Sequence, residues 1–85
     1  SGSELPSISI NKSLLDNIFN VIDLIILSKL ESSKSEIRRL IRGNGIKINN
    51  QLIKDEKMII TKKLFQNNFL KLSVGKKRHI KIDLS

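Results

Sequence analysis

The chain predicts an α+β domain in which two N-terminal helices pack on a small, mostly antiparallel sheet. Three observations carry that expectation. Apolar residues recur at three- and four-residue steps from Leu14 to Ile26, as on one face of a helix. Ser33 is followed three residues later by Glu36 at the head of a second such run, the spacing of a capping box. From Ile46 onward the apolar period falls to two, and turns rich in Asn or Gly separate the runs. Helices followed by strands suggest a layer of helix on one face of a sheet. The 85 residues leave room for one such core.

Ser1-Gly2-Ser3 reads as a tag remnant, residues 4–11 as an extended lead-in, and residues 12–85 as a single domain. Pro6 favours extended backbone at Leu5, and Ile8 and Ile10 alternate with Ser7 and Ser9. Ser13 is placed to cap the first helix, whose apolar face is Leu14, Leu15, Ile18, Phe19, Ile22, Ile25 and Ile26. The run Leu24 to Leu27 is apolar enough to expect burial on more than one side. The second helix should span about Lys34 to Arg42 and stop at Gly43-Asn44-Gly45, residue types that tolerate left-handed backbone. Ile46 and Ile48 flank Lys47 on a strand. Asn49-Asn50 then turns the chain into a returning strand over Gln51–Ile53. Met58–Ile60 is expected as a short strand and Lys62–Phe65 as one helical turn. After Asn67-Asn68, Leu70, Leu72 and Val74 share one phase. Gly75-Lys76-Lys77 turns the chain again, and Ile80, Ile82 and Leu84 alternate with His79, Lys81 and Asp83 in a closing hairpin.

Charge points to the partner. Sixteen Lys and Arg against eight Asp and Glu leave a net charge of +8. One base and three acids occupy residues 1–28, a net of −2, whereas fifteen bases and five acids occupy residues 29–85, a net of +10. A surface with that excess attracts polyanions. On the second helix Lys34, Ser35, Arg38, Arg39 and Arg42 fall in one arc about 140° wide at about 100° per residue. Ile37, Leu40 and Ile41 lie opposite, and Glu36 falls outside the arc, where its carboxylate need not neutralise the cations. The like charges Arg38 and Arg42 repel at an i,i+4 spacing, with no carboxylate in the arc to relieve them. Arginine forks suit phosphate oxygens, and the first-turn N–H groups near Ser33 to Ser35 add a weak anion site. Lys47 extends the positive surface, and Lys76, Lys77 and Arg78 make a second cluster.

Other chemistry is scarce. There is no Cys, hence no disulfide, thiolate nucleophile or Cys-rich zinc site, and the lone His79 reads as an outward-facing strand residue. Asp55-Glu56 reads as a solvated turn. No phosphate-cradling glycine motif or catalytic constellation occurs, and no cofactor is expected. The longest apolar run, Val21 to Leu27, is interrupted by Asp23 and falls far short of the roughly 20 residues that span a bilayer. No membrane association is expected, and a reducing, cytoplasmic compartment fits best. With Phe19, Phe65 and Phe69 the only aromatics, all in apolar contexts, stacking on splayed bases is disfavoured. Gripping the backbone of folded or double-stranded RNA by shape fits better. A helix pair is also material for a DNA-binding helix-turn-helix, but here Gly43-Asn44-Gly45 leads into a strand.

The run Ser32-Ser33-Lys34-Ser35-Glu36-Ile37-Arg38-Arg39-Leu40-Ile41, followed by Gly45-Ile46-Lys47-Ile48-Asn49, resembles the helix–strand core of the S-four-type RNA-binding domain. Together with Phe69-Leu70 through Gly75-Lys76-Lys77 and the lead-in at Leu5-Pro6, it is most similar to the C-terminal domain of bacterial-type tyrosyl-tRNA synthetases, over most of residues 5–85. That resemblance implies an appendage that clamps tyrosine-specific tRNA near its long variable arm and anticodon stem. The catalytic domain would lie upstream and would supply the dimer contact. By position, the RNA contacts would be Ser33, Lys34, Ser35, Arg38, Arg39, Arg42, Lys47, Lys76, Lys77 and Arg78. The HIGH-like and KMSKS-like motifs of the catalytic domain do not occur, so the chain is not expected to activate tyrosine by itself. The sequence departs from the family at Asn49-Asn50, where Asn-Gly is common, and at Ile37, which replaces a usual Ala and demands more room beneath the helix. Its Val21–Glu31 stretch is also longer and more apolar than usual. Two other functions fit the same residues: a free-standing module of this fold on ribosomal RNA, and a protein-interaction domain docking through Val21–Leu27.

Overall fold

In the computed structural model, which describes residues 5–85, the alternation of the lead-in becomes strand β1 (Ser7–Ile10). It runs parallel to the last strand, β5 (Arg78–Leu84), with Ser7 opposite Lys81 and Ile10 opposite Leu84. The tag remnant read at residues 1–3 lies outside the described residues, as does Glu4.

The first helix departs most from expectation. In place of one helix capped by Ser13, the chain makes a 3-10 turn over Lys12–Asp16 and then a separate helix α1 (Val21–Ser28). Asn11 caps the turn, its side-chain oxygen accepting from the Ser13 N–H at 2.9 Å. Asn20 caps α1 in a reciprocal box. Its side chain accepts from the Asp23 N–H at 2.9 Å, and the Asp23 carboxylate accepts from the Asn20 N–H at 3.0 Å. The cause of the break is tertiary. The Ile60 N–H donates to the Phe19 carbonyl at 2.8 Å and the Val21 N–H to the Met58 carbonyl at 2.9 Å. These bonds hold Asn20 extended (φ −101°, ψ 177°), so the helical period through Ile18 is not realised and Ile18 is left 84% exposed. They also reduce the strand expected at Met58–Ile60 to a single bridge, Asn20 with Ile59. Val21, Ile22, Leu24 and Ile25 are buried, but the run Leu24 to Leu27, expected to be covered on more than one side, is only partly so: Ile26 is half-buried and Leu27 is exposed.

Helix α2 (Lys34–Arg42) forms where the sequence predicts it. Ile37 and Ile41 are fully buried, and each such side chain contributes about 1.5–3 kcal/mol by leaving water. The helix ends in a Schellman-type cap. The Asn44 N–H donates to the Ile41 carbonyl at 3.2 Å and the Gly45 N–H to the Leu40 carbonyl at 2.7 Å. Asn44, not a glycine, takes the left-handed conformation (φ 62°), while Gly43 stays at φ −88°. Gly45 serves close approach: a Cβ there would sit 3.2 Å from both the carbonyl oxygen and the side chain of Leu40.

Strands β2 (Ile46–Ile48), β3 (Gln51–Leu52) and β4 (Phe69–Val74) complete a five-stranded sheet in the order β1-β5-β4-β2-β3. Every pair except β1–β5 is antiparallel. Asn49 and Asn50 at φ 52° and 66° make the two-residue turn between β2 and β3, the backbone a type I′ hairpin requires. Strand β3 stops at Leu52, one residue short of the expected Ile53, whose N–H nonetheless donates to the Ile46 carbonyl at 2.9 Å. Asn67 and Asn68 repeat the left-handed pair (φ 54° and 64°), and Lys62–Leu64 forms the expected helical turn. Ile46, Ile48, Leu70, Leu72, Val74, Ile80 and Ile82 join α1 and α2 in one core. Their strand neighbours Lys47, Lys71, Ser73, His79 and Lys81 lie on the sheet face turned away from the helices.

Replacing Asn20 with Ala should lower stability by about 0.5–2 kcal/mol, the usual cost of losing a cap. Ser13→Ala should leave it nearly unchanged. Urea unfolding of both variants measures the contrast; equal losses would return the cap to Ser13.

Candidate nucleic-acid interface

The charged arc of α2 faces solvent because Ile37 and Ile41 take the opposite side into the core. Ser33 is its N-cap, the hydroxyl accepting from the Glu36 N–H at 3.3 Å and lying 3.0 Å from the Ser35 hydroxyl. Only half of the expected capping box forms. Glu36 does not return to the cap, and Glu31 takes that place, accepting from the Ser32 and Ser33 N–H groups at 3.1 and 3.4 Å.

The expectation that no carboxylate meets the arc is corrected. Arg39 reaches across the helix surface and donates through Nε and Nη2 to the two oxygens of Glu36, at 2.9 and 2.6 Å. Glu56, read from sequence as part of a solvated turn, lies 3.6 Å from Arg38 and 3.4 Å from Arg42. The Glu56 carboxylate relieves the i,i+4 repulsion between the two arginines. Arg78 is 3.8 Å from Glu31 and donates to the Leu30 carbonyl at 2.6 Å. All four arginines of the chain are thus paired with glutamates. Among the described residues, Lys34, Lys47, Lys76 and Lys77 have no such carboxylate.

These pairs do not cancel the patch. Eight cations (Lys34, Arg38, Arg39, Arg42, Lys47, Lys76, Lys77, Arg78) meet three carboxylates (Glu31, Glu36, Glu56), which leaves +5. The Arg39 and Arg42 side chains are 77% and 70% exposed, and ion pairs that wet are weak and screened by salt. A phosphate can therefore replace or share a glutamate. The hydrogen bond from Arg39 holds the Glu36 carboxyl below its ordinary value, and the same bond pushes Arg39 up. The support Glu36 gives is present at neutral pH and above the ordinary glutamate range. It is lost as pH falls through the depressed value.

The last hairpin joins this surface. Arg78 is tied to the segment before α2, while Lys76 shares a cleft with Gly43, Asn44 and Gly45 after it. Lys47 and His79 line the same cleft, and Lys47, Ser73 and His79 stand side by side across β2, β4 and β5. The His79 ring meets the Ser73 hydroxyl through Nδ1 at 2.8 Å and the Lys76 carbonyl through Nε2 at 3.2 Å. A carbonyl only accepts, so Nε2 carries the hydrogen in that contact. The outward position read for His79 holds, and its role in fixing the turn was not legible. Lys71 and Lys81, also missed, face each other across β4 and β5. Their phase, opposite to the apolar one, was the available signal. Among the described residues no cluster of three or more His, Cys, Asp or Glu could hold a metal, and no helix is long and apolar enough to cross a membrane.

Comparison with known proteins gives a consistent picture. The family model described as Tyrosine--tRNA ligase SYY-like C-terminal domain matches residues 2–82. A tyrosine--tRNA ligase of Pelagibacter ubique is 63% identical over 83 residues, covering 98% of this chain and 20% of that protein. The tyrosine--tRNA ligase of Rickettsia massiliae is 48% identical over 77 residues (89% of this chain, 19% of the relative), and that of a Wolbachia strain 46% over 84 residues (98% and 20%). The chain therefore spans about a fifth of the length of these curated relatives.

If the glutamates restrain the arginines, Glu56→Gln should strengthen binding to a generic polyanion and elute from a heparin matrix at higher salt than the parent chain. Asp83→Asn removes the same charge from β5, away from α2, and should shift elution less. Equal shifts would reduce the effect of Glu56 to net charge alone.

Proposed function

The chain belongs to the Tyrosine--tRNA ligase SYY-like C-terminal domain family, and on that premise we propose that it grips tRNA for a tyrosine–tRNA ligase. The observation that carries the proposal is the α2 arc, held in solvent by its buried isoleucines and left at +5 with the hairpin cations after every nearby glutamate is counted. Ser33, Lys34, Ser35, Arg38, Arg39 and Arg42 contact the ribose-phosphate chain near the variable arm and anticodon stem. Lys47, Lys76, Lys77 and Arg78 extend the grip along the sheet. Phosphate contacts of this kind position an RNA without reading its sequence. Selectivity for the tyrosine tRNA then rests on the shape that brings those phosphates into register.

In this reading the domain performs no chemistry and holds no cofactor. An upstream domain of the same protein activates tyrosine and makes the dimer, and the assembly works in the cytoplasm, where tRNA is charged. Holding tRNA at a distance from the reacting ends raises the effective concentration of its acceptor end at that domain. The reading as a ribosomal RNA module has the same surface in its favour but lacks the support of relatives named as tyrosine--tRNA ligases. The reading as a protein-docking domain through Val21–Leu27 has little apolar surface in its favour, since Val21, Ile22, Leu24 and Ile25 are buried and only Leu27 of that run is exposed.

With about five phosphates engaged, log affinity for a long-armed tRNA should fall with log salt at a slope of roughly −3.5 to −4.5. A flat response measured by filter binding or anisotropy overturns the electrostatic grip. The double substitution Arg38→Ala, Arg42→Ala should weaken binding across RNA sequences and flatten that slope by about 0.7–0.9 per lost phosphate contact. Unchanged affinity would move the site off α2. Competition by a ribosomal RNA fragment at equal concentration would favour the free-standing module.

A further inference from the structure

Strand β1 is one edge of the sheet, and its backbone phase shows which of its polar groups are already bonded. The Lys81 N–H donates to the Pro6 carbonyl at 2.9 Å and the Ser85 N–H to the Ile10 carbonyl at 2.9 Å. Pro6, Ile8 and Ile10 therefore turn their peptide groups toward β5, and Ser7 and Ser9 turn theirs away from it. Among the described residues no second strand pairs with β1. The N–H and C=O groups of Ser7 and Ser9 thus form an open edge, with Ile8 half-buried between them. Natural sheet edges are blunted by Lys, by Pro, by a bulge or by brevity. Strand β3, at the other end of the sheet, is two residues long, and Lys54 stands two residues after it. Strand β1 has four residues, no charge, no proline and an unbroken register from Ser7 opposite Lys81 to Ile10 opposite Leu84.

We propose that this edge pairs antiparallel with the same edge of a second copy of the chain, about a two-fold axis at Ile8. In that register Ser7 of each copy faces Ser9 of the other, and each such pair exchanges both of its N–H···O bonds. The two Ile8 side chains meet at the axis as a non-hydrogen-bonded pair, the closer kind, and each covers what the other leaves exposed. The edge is self-complementary because Ser7 and Ser9 stand symmetrically about Ile8. Charge favours a like copy at this place over a charged partner. The chain carries +8, yet residues 1–28 carry −2, and the β5 charges beside the edge, Lys81 and Asp83, lie 3.6 Å apart and offset each other. Two cationic chains therefore meet there with the least repulsion. The contact uses no residue of the α2 arc or of the last turn, and it is separate from the dimer contact proposed for an upstream domain. Two four-residue strands bury far less than the roughly 1,200 Å² of a stable interface, so the association is weak, with a dissociation constant of about 0.1–1 mM.

The test is a concentration series of the ¹⁵N-labelled chain from about 0.05 to about 2 mM, in about 0.3 M salt to screen repulsion between like-charged chains. Sedimentation and amide shifts are the readouts. Expected are an average mass that rises toward twice that of the monomer and concentration-dependent shifts at Ser7 and Ser9. Gln51 and Leu52, on the other edge, should stay in place. Ser7→Lys with Ser9→Lys sets like charges opposite each other across the axis and should weaken association at least tenfold. Ser7→Glu with Ser9→Glu should do the same. An equimolar mixture of the two variants should associate again, because opposite charges then face each other, while unmoved β4 amides report that both variants are folded. Ile18→Ser removes the most exposed large apolar side chain among the described residues and should leave association unchanged. A chain that stays monomeric at the highest concentration overturns the proposal. So does association that moves only the amides of other segments, or a mixture of folded variants that stays monomeric. Association that survives both charge variants but is lost in Ile18→Ser moves the contact to that apolar side chain and overturns the pairing of β1.

Discussion

The charged surface depends on one packing constraint: Ile37 and Ile41 are buried in the core that α2 shares with α1 and the sheet. Their position fixes the rotation of α2 about its own axis, and with it the direction in which Lys34, Arg38, Arg39 and Arg42 project. The Schellman-type cap fixes where the helix stops, because Gly45 must come within contact of Leu40 before β2 can begin. A helix rotated by one residue would turn a charge inward and an isoleucine outward. Burying that charge costs far more than the lost apolar contact, so the rotation is closely determined by two isoleucines and a glycine.

On that frame the electrostatics divide into two kinds. The arginines are tethered by Glu31, Glu36 and Glu56, and the lysines at the hairpin and on β2 are untethered. Tethering has three consequences. It offsets the mutual repulsion of a dense cationic array, and it presents guanidinium forks in a limited set of directions, which reduces the side-chain entropy lost when a polyanion arrives. It also sets a threshold, since a weak or badly placed anion gains little by competing with a glutamate. Under the proposed tRNA grip, that combination would favour a polyanion of matching shape over others.

Family membership and physical reading agree while resting on different evidence. Relatedness over nearly the entire chain identifies the domain. The geometry presents no fully exposed aromatic ring among the described residues: the three phenylalanines are buried or half-buried, and Phe69 lies under the Lys81 ammonium at 4.7 Å from the ring centre. Under the proposed tRNA grip, recognition falls to cations and amides. The Ile at position 37 is accommodated without exposure, so the extra bulk compared with alanine is taken up inside the core.

Much was legible from residues alone where the information is local. The α2 limits follow from Ser33 and from Gly43-Asn44-Gly45, and the closing hairpin follows from strict alternation around Gly75, since caps, turns and strand phase involve neighbours a few residues apart. The hairpin at Asn49-Asn50 was legible for the same reason. What only the tertiary structure decided involves residues far apart in the chain. The first helix breaks because the backbone of residues 19–21 bonds to residues 58–60. The lead-in becomes a strand because β5, some seventy residues on, offers it a parallel edge. Glu56 reaches Arg38 and Arg42 because the connection after β3 folds back over α2. Periodicity and residue chemistry constrain a segment's own conformation and sidedness, but they hold no record of which distant backbone or charge will be brought against it.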